Sequence, residues 1–135
     1  MERIFRIRNR LDEVPGVLDA IEDSCRGEGL AKQTALDMRL VAEEVLTNIV
    51  KYAYGSVDEH PVELRLSASL GSVRMEFRDD GAPFNPLEAP LRDLKPPLEE
   101  REIGGLGVHL VKSLVDDARY ARDGDCNVLI LMKHS

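Results

Sequence analysis

The apolar spacing switches from a helical period to a period of two near residue 60, and this change restricts the fold more than any other feature. From about Lys32 to Tyr54 the residues Leu36, Leu40, Val41, Val45, Ile49 and Ala53 recur at helical spacing, and Gly55 follows. From Val62 the period is two. Val62, Leu64, Leu66, Ala68 and Leu70 alternate with mostly polar partners, "LGS" offers a turn, and Val73, Met75 and Phe77 alternate with Arg74, Glu76 and Arg78. A long amphipathic helix followed by a β-hairpin is the reading. A helix with one apolar stripe and a sheet with one apolar face are stable when each covers the other.

The rest of the chain extends these two layers. "RIFRIR" (3–8) mixes β-branched, aromatic and basic residues and predicts a first strand, at an edge. Val14, Val17, Leu18, Ile21 and Cys25 predict a helix, with Pro15 and Gly16 near its start and Gly27 and Gly29 past its end. A third helix opens at "GGLG" (104–107) and carries Val108, Leu110, Val111, Leu114 and Val115. Two short strands follow, near 118–122 and 126–133, around "DGD". The order β-α-α-β-β-loop-α-β-β predicts an α+β two-layer sandwich, with about three helices on one face of a mixed, mostly antiparallel sheet. The other face is then solvated or set against a partner. The sequence shows no internal repeat, and residues 1–135 read as one domain, long enough for a real core.

One stretch has no period. "APFNPLEAPLRDLKPPLEERE" holds five of the chain's seven prolines. A structureless segment of about 20 residues in a compact domain is commonly functional, and 82–103 reads as a lid.

Charge and composition remove whole classes of function. A net charge of −7 argues against nucleic acid as the main partner, because that binding needs a positive footprint. No apolar run approaches the roughly 18 residues that cross a bilayer, and the charged N-terminus "MERIFRIRNR" is neither a signal peptide nor an anchor. Cys25 and Cys126 form neither a disulfide framework nor a metal motif, which fits reduced thiols in a cytoplasm.

Three constellations carry chemistry. In "EEVLTNIVKYAY" (43–54), Glu44 and Asn48 lie one helical turn apart with Lys51 next along, whereas Glu43 points about 140° away from Asn48. An Asn amide oxygen is a hard ligand suited to Mg²⁺, and a Glu one turn away can deprotonate a hydroxyl. In "RDDGAPFNP" (78–86), a carboxylate at a strand end can accept from an exocyclic amine such as adenine's, and the following Gly lets the backbone turn or a flat ligand approach. In "GGLGVHLV" (104–111), glycines feed a helix whose free N–H groups suit an anion, though without the Lys and Ser/Thr of a P-loop. Taken singly, each has a plain structural reading as a charged helix face, an Asx-Gly turn or a helix entry.

Together and in this order, E-x-x-x-N on a helix ending "YAY", D-x-G after a strand, a long loop and G-G-x-G opening a helix resemble the GHKL ATP-binding superfamily. That superfamily includes DNA gyrase, heat-shock chaperones, mismatch-repair ATPases and histidine kinases. The short length and the form "DDGAPFNP … GGLGVHLVKSLVDD" are most similar to its RsbW-like anti-sigma-factor serine/threonine kinases, over roughly residues 4–133. The resemblance implies a Bergerat-type ATP-binding fold with ATP and Mg²⁺ as cofactors. By it, Asn48 holds Mg²⁺, Glu44 is the general base toward the target hydroxyl, and Asp79 accepts the adenine amino group beside Gly81. Gly104, Gly105, Leu106 and Gly107 form the phosphate-facing helix start, Lys51 faces phosphate oxygens or a nearby acid, and Asn127 lies behind the adenine. Arg92, Lys95 and Arg101 are lid cations within reach of a γ-phosphate or simply solvated.

The implied activity is phosphorylation of an anti-anti-sigma (STAS-type) protein by a cytoplasmic homodimer that also sequesters a sigma factor. The alternative is a nucleotide-gated binding module without useful turnover. Two departures from the wider superfamily stand out: Pro83, followed by Phe84, where a second glycine is common, and Lys51-Tyr52-Ala53-Tyr54 where "HAY" is common. His60, His109 and His134 match no catalytic position.

Overall fold

The computed structural model describes residues 1–54, 58–88 and 103–134. In chain order its elements are β1 (Glu2–Arg8), α1 (Val14–Gly27), α2 (Lys32–Tyr52), β2 (Pro61–Ser69), β3 (Ser72–Asp79), α3 (Ile103–Leu114), β4 (Asp117–Asp123) and β5 (Cys126–His134). The strands form one sheet in the order β1-β2-β3-β5-β4, and every pairing is antiparallel. The expected α+β layering is present, with β1 at an edge as its mixed sequence predicts.

Alternation along the central strands builds the core. Val62, Leu64, Leu66 and Ala68 on β2 and Val73, Met75 and Phe77 on β3 face the helices and are buried. Against them pack Val17, Leu18 and Ile21 of α1 and Met38, Val41, Val45 and Ile49 of α2. The opposite sheet face is laced with charge: Arg6 and Arg65 both meet Glu63, at 3.1 and 3.2 Å, and Arg78 meets Asp123 at 3.2 Å. Such exposed pairs stabilise little individually but keep the face solvated.

Helix ends follow local chemistry. α1 runs to Gly27, one turn from a Schellman closure in which Leu30 N–H bonds Cys25 C=O and Gly29 takes φ 85°. α2 stops at Tyr52, two residues before the expected end. Ala53 is the cap, still donating its N–H to Ile49 C=O, and its own carbonyl accepts the N–H of Ala82 at 2.9 Å, which ties the C-terminus of α2 to the segment after β3. That tie brings the carboxyl end of α2 to the carboxyl end of β3. No described helix is long and apolar enough to cross a membrane.

Candidate functional site

Two sets of polar groups meet at this junction. The first lies on α2. Glu44 and Asn48 are buried although both are polar, at 7% and 2% exposure, while Glu43 is exposed. The helical phase therefore divides the acid pair as its geometry predicts. Glu44 Oε2, Asn48 Oδ1 and the Tyr52 hydroxyl are buried and have no hydrogen-bond partner among the described residues. The three residues are spaced by four, so one slanting face of α2 carries three unsatisfied oxygens in a row. Native interiors rarely tolerate this, since an unmade buried hydrogen bond costs about 1–3 kcal/mol. Ordered water or a polar ligand would complete such a face. Burial raises the Glu44 pKa, Glu43 adds to the rise, and Lys51 opposes it. Lys51 is exposed and in no ion pair among the described residues, so it remains available to an anion.

The second set lies at the sheet end and is held by hydrogen bonds within the protein, with only Asp79 Oδ2 left open among the described residues. Asp79 is 3% exposed, and its Oδ1 accepts from Gly81 N–H at 2.9 Å and from Asn127 Nδ2 at 3.0 Å. Burial raises its pKa; the Asn127 and Gly81 hydrogen bonds and the charge of Arg122 pull the other way. Asn127, 2% exposed, also donates to Ala82 C=O at 2.8 Å and accepts from Phe84 N–H at 3.0 Å. Gly81 has no room for a side chain: a Cβ there would lie 2.4 Å from the Ala53 carbonyl oxygen. The glycine is thus required by the docking of α2, whatever a ligand demands of it. Phe84 closes the corner by packing its ring 5.9 Å from that of Tyr52, linking the two sets.

Gly104, Gly105, Leu106 and Gly107 fall in the first turns of α3, whose backbone is helical from Ile103. The earliest N–H groups of a helix have no intrahelical acceptor, which suits an anion. α3 packs against α2. Of the expected lid, residues 89–102 lie outside the described residues, and with them Arg92, Lys95 and Arg101; Gly55 does too. His109 and His134 are exposed. His60 is half-buried, stacked on Tyr54 at 4.8 Å and 3.4 Å from Asp80, a structural setting. Both cysteines are free.

The sequence reading missed Tyr52, Tyr120 and Arg122. Tyr52 continues the four-residue step from Glu44 to Asn48 and was visible in that spacing. Tyr120 and Arg122 reach Asn127 only through the register of the β4–β5 hairpin, which places Arg122 directly opposite Asn127.

Comparison with known proteins supplies a frame for this geometry. Residues 7–133 match the histidine kinase-like ATPase domain. The serine/threonine-protein kinase BtrW of Bordetella bronchiseptica is 30% identical over 98 residues, covering 73% of this chain and 69% of its own. The serine-protein kinase RsbW of Bacillus mycoides is 32% identical over 108 residues, covering 76% and 66%. RsbW of Listeria monocytogenes is 25% identical over 107 residues, covering 76% and 68%. Among solved structures, the RsbU and RsbW domains of a Mycobacterium tuberculosis protein superpose with a TM-score of 0.61 at 15% identity. The match covers 97% of this chain and 32% of that one, a likeness of fold alone.

Proposed function

This chain belongs to the histidine kinase-like ATPase domain family, in its RsbW-like serine kinase branch, and on that premise we propose that it is a Mg·ATP-dependent protein serine/threonine kinase. Its substrate is then an anti-anti-sigma protein of the STAS type, and the kinase acts as an anti-sigma factor or partner-switching regulator, as a homodimer in the cytoplasm. The observation that carries the proposal is the row of unpartnered oxygens on α2: Glu44 Oε2, Asn48 Oδ1 and Tyr52 OH.

The chemistry of the row fits the reaction. Asn48 offers a buried, unpartnered amide oxygen, a hard donor of the kind Mg²⁺ accepts when phosphates and water complete its shell. When bound, the cation would neutralise charge on the transferring phosphoryl group. Among the described residues no cluster of His, Cys, Asp and Glu is grouped for a dedicated metal cage, and a one-ligand site needs none. Glu44 would take the proton from the target hydroxyl; burial raises its pKa, which makes its carboxylate the stronger base. Asp79 would accept from the adenine amino group, with Gly81 and Asn127 holding its carboxylate. The N–H groups at the start of α3 would face the phosphates, with Lys51 supplying positive charge. Residues 82–103 would form the lid of a single domain spanning 1–135.

The test is transfer of labelled phosphate from Mg·ATP to a STAS-type anti-anti-sigma protein from a neighbouring gene. The wild type should transfer and Glu44→Ala should not, while both bind ATP. Absence of transfer by the wild type, with partner binding unchanged in Glu44→Ala, would instead establish a nucleotide-gated binding module.

A further inference from the structure

Asp79, Asn127 and Arg122 form a row across three strands. Asp79 is directly opposite Asn127 in the β3–β5 ladder, and Arg122 is opposite Asn127 in the β4–β5 ladder. Tyr120, two residues before Arg122, lies on the same face. Three donors converge on one atom, Asn127 Oδ1: Phe84 N–H at 3.0 Å, Arg122 Nη1 at 3.2 Å and the Tyr120 hydroxyl. Arg122 Nη1 also donates to Gly81 C=O at 2.7 Å, pinning the turn that follows Asp79.

This convergence decides which way the amide points. An Asn side chain can usually be turned end for end at little cost, because its two ends are similar in size and both can hydrogen-bond. Here the turned amide would set its NH₂ against two groups that can only donate, Phe84 N–H and Arg122 Nη1, and its carbonyl oxygen against a carboxylate. Nδ2 is therefore committed to two acceptors, Asp79 Oδ1 at 3.0 Å and Ala82 C=O at 2.8 Å. With Gly81 N–H as its second donor, Asp79 Oδ1 is saturated. Asp79 Oδ2 carries no hydrogen bond among the described residues, so one acceptor remains for a ligand.

We infer that Tyr120 and Arg122 are positioning residues that set the base preference of the site. By locking Asn127 in one orientation they hold the Asp79 carboxyl in place with one oxygen free to accept, so the site takes a 6-aminopurine and refuses a 6-oxopurine. The inference rests on the reading of Asp79 as the base acceptor. A 6-oxo group would meet the free carboxylate oxygen acceptor to acceptor, a mismatch that discriminates strongly when it is buried.

The charges around Asp79 set the sign of a pH effect. Asp80, next on its own chain, favours protonation of Asp79, and Arg122 on β4 opposes it. Tyr54, beyond α2, has its phenol pKa raised by burial and by Asp79 and Asp80, and it donates to Asp80 at 3.1 Å. His60 also meets Asp80, not Asp79. Loss of Arg122 removes a charge that opposes protonation, and loss of the Tyr120 hydroxyl frees the Asn127 amide whose Nδ2 donates to Asp79. Asp79 then gains its proton at a higher pH, and the neutral acid can donate to a 6-oxo group.

The experiment titrates the Mg²⁺-supplemented full chain with fluorescent N-methylanthraniloyl ADP and GDP, from mildly acidic to mildly alkaline pH. Wild type, Arg122→Gln and Tyr120→Phe are compared. The wild type should prefer ADP. Both variants should lower the ADP-to-GDP affinity ratio by roughly tenfold and lose ADP binding at a higher pH than the wild type. A variant damaged only in structure would lose both nucleotides in proportion, and Tyr120→Phe, which removes one hydroxyl, keeps the test decisive if Arg122→Gln does not fold. An unchanged ratio and pH profile in the variants would overturn the inference alone. Equal binding of both purines by the wild type, or binding of neither, would overturn the reading of Asp79 and the inference with it.

Discussion

The two halves of the site are built on opposite principles. At the sheet end, Asp79, Asn127 and the turn from Gly81 to Phe84 are held by hydrogen bonds made within the protein. On α2, Glu44, Asn48 and Tyr52 present buried oxygens that no described residue meets with a hydrogen bond. The sheet end is preorganised, so the flat base of the proposed nucleotide would meet groups already aimed. The helix face is under-satisfied, a local loss of stability that binding of a cation and phosphates would recover. Shape recognition is assigned to the rigid half and charge chemistry to the incomplete one.

Substitutions separate the two halves. The largest effect should be on rate: Glu44→Gln should reduce phosphoryl transfer by on the order of 10²–10⁴, read by single-turnover transfer, with nucleotide affinity little changed. The same variant should be more stable than the wild type at neutral pH. The folded Glu44 pKa lies above the ordinary value of 4.5 because burial disfavours its charge. Below that ordinary value the carboxyl is protonated in both states and the penalty is absent. As pH rises through and past the raised folded pKa, the penalty becomes complete. The melting-temperature difference between variant and wild type should therefore be near zero in acid and positive at neutral pH. A less stable Glu44→Gln at neutral pH would contradict the contrast.

The internally bonded half should respond in the opposite sense. Asn127→Ala leaves Asp79, Ala82, Phe84, Tyr120 and Arg122 each short of a partner, and should destabilise the protein by about 2–4 kcal/mol in urea unfolding. Gly81→Ala forces a Cβ to 2.4 Å from the Ala53 carbonyl oxygen; backbone must shift, at about 1–3 kcal/mol in the same assay. The smallest change in stability belongs to Tyr52→Phe, which deletes one unpartnered hydroxyl. It should leave stability unchanged or raise it by up to about 1 kcal/mol, while weakening nucleotide binding several-fold in titration.

The same contrast explains what could be read from the sequence. Helix periodicity is local: residues four apart share a face whatever the tertiary structure. Glu44 and Asn48 were therefore legible as a pair, Glu43 could be set aside, and Tyr52 lay one further step along. The alternating strands likewise revealed the sheet and its buried face, because Val62 to Ala68 and Val73 to Phe77 leave one register that buries them. The sheet-end network was not legible in the same way. It depends on which residues of β3, β5 and β4 lie abreast, and the chain separates Asp79 from Asn127 by 48 positions. The second duty of Gly81 came from one tertiary contact at Ala53 that no local pattern announces.

The central claim is that the unsatisfied face of α2 is where a magnesium-bound nucleotide sits. Isothermal titration of ATP into the wild type and Asn48→Ala, each with Mg²⁺ and with a chelator in its place, tests it most directly. The wild type should bind in a Mg²⁺-dependent manner. Asn48→Ala should fold but lose that dependence, its affinity falling to the level seen with chelator. Equal, Mg²⁺-dependent binding by both proteins would contradict it.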